Sequence, residues 1–196
     1  MKTLNFNDLV QWCSESPSGV KIESPYHLHY GTPETFGFRI DVPSEATRVV
    51  ALVYNLLAVE EDTGYYGGII WYINFGMGTP EIEQCGLRIL EQMRRGYGEV
   101  KSVENAPAQL FRSDEIVDNH AFMTLPLLWG WDAYFMPHGT RYFAYARQNG
   151  SLYLVTDKEH VFRKLRTACA AYHPVIELPT YLRPDTPMGS TSSAPN

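Results

Sequence analysis

Apolar residues recur along this chain with two periods, and those periods divide it into helices and strands. Phe6, Leu9, Val10 and Cys13 share one face of a helix over 6–14 that Asn5 can cap. SESPSG then breaks it, and residues 20–24 read as a short strand. FGFRIDV (36–42) alternates as a strand and is closed by Pro43. Ser44 is placed to cap a helix to about residue 57, with Ala46, Val49, Val50, Val53 and Leu57 on its inner face. The acidic run Glu60, Glu61, Asp62 follows, in a solvated loop away from the negative helix end.

GGIIWYINF (67–75) is continuously apolar, as a central strand covered on both faces would be. Thr79 and Pro80 then suit a helix start, and Arg94, Arg95 and Gly96 suit its end. A weak strand is expected near 100–104. Ser113 opens another helix, with Asp114 and Glu115 in its first turn, that stops before Pro126. Residues 132–136, 141–148 and 151–157 read as an antiparallel meander.

Asn149-Gly150 predicts a two-residue type I′ turn in that meander. Arg147 then faces Leu152, Tyr145 faces Leu154 and Phe143 faces Thr156. On the opposite face Ala146 meets Tyr153 and Ala144 meets Val155, near Tyr142. Asp157 is expected to cap a last helix carrying Val161, Phe162, Leu165, Ala168, Cys169 and Tyr172.

The fold class expected is α+β. One domain over 1–178 holds a mixed sheet of five to seven strands with a C-terminal antiparallel meander and about five helices. Residues 179–196 are rich in Pro, Thr and Ser and form a tail that cannot offset its ordering entropy. A chain of 196 residues supplies one good core rather than two.

Charge narrows the partners. The net charge of −6 gives no basic face for phosphates, so nucleic acid is not expected. The N-terminus has no apolar leader core, and the best apolar run is too short to span a bilayer. A cytoplasmic protein off the membrane is the expectation. Cys13, Cys85 and Cys169 are odd in number with no C-x-x-C spacing, so buried free thiols are expected, with Cys85 and Cys169 on apolar helix faces.

Candidate chemistry is sparse. His27 and His29, two apart in a strand, would point to one side and could share a metal, but no third ligand is identifiable. Gly76-Met77-Gly78-Thr79 resembles a phosphate turn, yet Pro80 removes a donor and Glu81 and Glu83 bring negative charge. Asp114 and Asp118 share a helical face near His120, where a solvated face is the simpler reading. Lys158, Arg163, Lys164 and Arg166 flank the last helix's apolar stripe and read as solvated too.

The aromatic region says most. Trp129, Trp131, Asp132, Tyr142 and Tyr153 are the expected binding residues, because both hairpin faces are apolar. Either secondary structure covers both faces, or one face meets a partner. In element order alone, the closing hairpin and helix resemble the last part of toxin-immunity domains, and no residue's role follows from that. The leading expectation is a non-catalytic protein-interaction module of regulatory or toxin-immunity type, without cofactor or metal, with a protein partner or a second copy. The alternatives are a small metal-dependent hydrolase using His27 and His29 or Asp118 and His120, and a small-ligand binder with an aromatic pocket at Trp129 and Trp131.

Overall fold

A computed structural model describes residues 1–16, 20–24, 27–30, 35–59, 67–75, 80–138 and 141–179, with the backbone alone at 23, 24, 27–30 and 80–84. In chain order the elements are β1 (Lys2–Leu4), α1 (Phe6–Glu15), β2 (Val20–Ser24), β3 (His27–Tyr30), β4 (Phe36–Asp41), α2 (Ala46–Ala58) and β5 (Gly68–Asn74). Then come α3 (Pro80–Gly96), β6 (Ala108–Phe111), α4 (Ile116–Trp129), β7 (Asp132–Pro137), β8 (Tyr142–Arg147), β9 (Ser151–Thr156) and α5 (Glu159–Ala168). A short 3-10 turn, Ala170–Tyr172, follows. The fold is α+β, as expected.

Seven strands form one sheet in the order β1-β6-β5-β7-β8-β9-β4, and β2 pairs with β3 apart from it. A mixed sheet was the expectation; every pairing between the described strands is antiparallel. The apolar run on β5 is explained by its central place, with both faces covered. On one face Ile70, Tyr72, Phe135, Ala144, Leu152 and Leu154 join a large core with α2, α4 and α5. On the other, Ile69, Trp71, Tyr134, Met136, Phe143 and Val155 join Leu9 and Cys13 of α1 and Val20 of β2. Both hairpin faces are apolar because both are interior.

The hairpin register differs by one residue from expectation. Arg147 pairs with Ser151, Tyr145 with Tyr153 and Tyr142 with Thr156. The loop has three residues, with Gly150 alone at positive φ (77°) and its N–H donating to the Arg147 carbonyl. That is a type I turn with a glycine bulge rather than a type I′ turn. Such a slip exchanges the faces of one strand relative to the other. Tyr142 and Tyr153 therefore lie on opposite faces.

Other boundaries also move. Asn5 caps α1 as expected, its side chain accepting from Asp8 N–H at 3.0 Å. The buried stripe of α2 is Val49, Leu52, Val53, Leu56 and Leu57, so Val50 falls outside it, and Glu45 rather than Ser44 holds the N-cap position. No strand forms at 100–104; Glu99 accepts from the N–H groups of Val100 and Lys101 and turns the chain, and β6 begins later. Lys158, not Asp157, is the N-cap position of α5; Asp157 pairs instead with Arg141 and Lys158. Cys85 is exposed, while Cys13 and Cys169 are buried. The inner face of α3 runs through Gly86, Leu90 and Arg94, which turns position 85 outward.

Helix α4 runs straight through Pro126 and ends at Gly130. Proline there cannot donate to the Phe122 carbonyl four residues back. Tyr72 Oη supplies the missing donor at 3.0 Å from β5. A helix stop predicted from one residue was thus overridden by a tertiary hydrogen bond.

Candidate functional site

The five aromatic-region residues are placed in four different settings. Trp129 and Trp131 clasp α3 at Gly86: a Cβ there would lie 2.7 Å from Trp131 Cζ2 and 2.8 Å from Trp129 Cδ2. Trp131 also presents an edge to Phe75, centroids 5.2 Å apart, and to Tyr72 at 6.0 Å. Asp132 anchors the hairpin loop, its Oδ1 accepting from Gln148 N–H at 2.8 Å. Tyr142 is fully buried on the helix face and donates to the Leu56 carbonyl near the end of α2. Tyr153 lies on the opposite face.

There Tyr153 belongs to a row that crosses five strands. Trp71, Tyr134, Tyr145, Tyr153 and Arg39 stand directly opposite one another on β5, β7, β8, β9 and β4. Tyr134 and Tyr145 stack at 4.5 Å between centroids, and Tyr145 and Tyr153 at 6.4 Å. Cross-strand aromatic pairs stabilise a sheet. Burial is also the chief cause of the raised Tyr145 pKa.

The acid–base candidates do not converge. Asp114 precedes α4 and pairs with Arg112 at 3.3 Å, so it shares no helical face with Asp118. Asp118 takes a hydrogen bond from Tyr97, whose phenol is pushed up to about 12 by desolvation first and that bond second. His120 Nε2 lies 3.1 Å from the Val50 carbonyl. A carbonyl only accepts, so Nε2 is the donor in this bond. Among the described residues no group of three or more His, Cys, Asp or Glu could hold a metal. The side chains of His27 and His29, and residues 76–79, lie outside the described residues. On α5, Arg163 pairs with Glu159 at 2.6 Å and Arg166 covers the Phe162 ring at 5.7 Å.

A different surface emerges between α2 and the first turns of α4. It is a groove of about 560 Å³, lined among others by Val50, Ala51, Tyr54, Leu57, Val117 and His120. Val50 is 44%, Tyr54 63% and Val117 77% exposed. The His120–Val50 bond ties the two helices at this groove. Its signal was present in the sequence. Helix α2 reads ATRVVALVYNLLA, with more apolar residues than one buried stripe needs. A helix apolar nearly all round has a second face to cover.

No helix among the described residues is long and apolar enough to cross a membrane. No family model, curated protein or solved structure matches this chain.

Proposed function

We propose that this chain is a non-catalytic protein-interaction module whose α2–α4 groove receives the apolar stripe of a helix from another protein. The observation that carries the reading is the exposure of Val50, Tyr54 and Val117 along one groove. From Thr47 to Ala58 the groove follows α2 for about 16 Å, or three helical turns. That length suits a partner helix with anchors spaced i, i+3 or i+4, and i+7. The net charge of −6 favours a basic partner. A regulatory or toxin-immunity role, in which binding itself is the activity, suits this reading.

A small apolar ligand is the second reading, favoured by a volume within the roughly 300–1,000 Å³ of small-molecule sites. The test begins with a photo-reactive phenylalanine at position 54 in cells and mass analysis of what it captures. The captured protein is then titrated against the wild type and Val117→Glu, a substitution at an exposed site. We expect at least tenfold weaker binding by the variant. Equal binding by wild type, Val117→Glu and Val50→Glu removes the groove from the function. Capture of a small molecule alone selects the second reading.

A further inference from the structure

Strand β4 is the last in the sheet, and its outer edge is not bare. After α5 the chain turns at His173, the one described residue other than glycine with positive φ (52°). It then runs back along β4. Arg39 N–H donates to the Val175 carbonyl and Val175 N–H donates to the Arg39 carbonyl, each at 2.8 Å. Arg39 Nε reaches Glu177 Oε2 at 3.0 Å. Leu178 Cδ2 lies 2.5 Å from where a Cβ on Gly37 would stand, so the bare glycine is the seat for this leucine. Leu178 packs against the same core as Trp71, Tyr134 and Tyr145 of the aromatic row.

These contacts make a recognition pattern of three parts: a backbone pair at Arg39, a carboxylate for its guanidinium and a leucine seat at Gly37. The segment that fills it is lightly held. It makes one isolated bridge to β4, and Val175 and Ile176 are 51% and 69% exposed. A left-handed non-glycine residue stores strain at the point where it departs.

We propose that the edge of β4 is a strand-addition site that the chain fills with its own residues Val175–Leu178, and that an extended partner peptide with an acidic residue followed by leucine takes the same place. Main-chain pairing would give such a peptide affinity, and Arg39 and the Gly37 seat would give it selectivity. The tethered segment competes at high effective concentration, so it keeps the site closed until a better segment arrives. This site is separate from the α2–α4 groove and stands without it.

The experiment uses the full chain and a fluorescein-labelled peptide of sequence HPVIELP, that of residues 173–179. Val175→Pro removes the strap's N–H donor, and Leu178→Ala empties its seat. Anisotropy should show saturable binding to Val175→Pro/Leu178→Ala at least tenfold tighter than to the wild type. A peptide with lysine for its glutamate should lose that binding, and Arg39→Glu in the released variant should restore it. Equal binding to wild type and released variant overturns the proposal, as does a released variant that forms dimers and takes no peptide. If the released variant unfolds, hydrogen exchange on the wild type decides. The Arg39 amide must exchange at least tenfold faster than amides of the β8–β9 ladder; equal rates overturn the proposal.

Discussion

Single atoms decide several of the packing arrangements. Tyr72 Oη satisfies the carbonyl that Pro126 leaves without a donor, in a fully buried site. Tyr72→Phe keeps the ring and removes the donor, so it should lower stability by about 1–3 kcal/mol in a urea titration. An unchanged midpoint would mean that the Phe122 carbonyl has another donor. Gly86 shows the reverse case, where an added atom does the damage. Ala at position 86 would gain up to about 1 kcal/mol of helix propensity. It would also push into both indoles, at a cost of about 1–3 kcal/mol. A net loss is expected, with a change in tryptophan fluorescence as Trp129 and Trp131 shift. Arg94 is 1% exposed and donates one bond, to the Ala106 carbonyl at 2.9 Å, while its Nε and Nη1 have no partner among the described residues. Burial lowers its pKa. Arg94→Met should therefore match or exceed the wild type in stability. Arg94→Ala should lose about 2 kcal/mol or more to the cavity it leaves.

Elements were legible where local chemistry decided them. The Asn5 cap, the apolar β5 and the three-stranded meander could all be read from the residues. The hairpin register could not, because Asn-Gly serves a two-residue turn and a three-residue turn with a bulge alike. The difference lies in whether Gln148 joins the loop, and Asp132 on β7 draws it there by accepting its N–H. That bond is sixteen residues distant in sequence. Gly150 at φ 77° remains essential in the bulge. Gly150→Ala should cost about 1–2 kcal/mol of stability, and a loss below 0.5 kcal/mol would speak against the bulge. Periodicity places Val50 on the inner face of α2, whereas the fold leaves it exposed, for a related reason. Periodicity shows that the helix is apolar, but α4 and α5 decide which of its two apolar faces turns inward. Of the binding residues expected from the sequence, Trp131, Tyr142 and Tyr153 are buried, and Trp129 and Asp132 are partly exposed.

For the molecule as a whole, burial sets its response to pH and to thiol reagents. Cys85 is exposed, whereas burial pushes the Cys13 and Cys169 thiols up to about 12. One of three thiols should react promptly with a disulfide reagent in the native state, and all three in denaturant. The folded pKa of each buried thiol lies above the ordinary thiol value of 9.0. Their contribution to stability is complete below pH 9 and is lost as pH rises through about 12. The urea midpoint should thus fall between pH 8 and pH 11.5. A flat midpoint would contradict the burial. The order of strands also governs how the chain can assemble. Lys2 of β1 pairs with Leu110, and Asp41 of β4 with Ser151. Each outer strand emerges from the ribosome well before the strand it pairs with and waits for it. Pairings so distant in sequence slow folding. Until β9 has been synthesised, β4 has no sheet neighbour among the described strands, and the nascent chain carries it unpaired while all the elements between them are made.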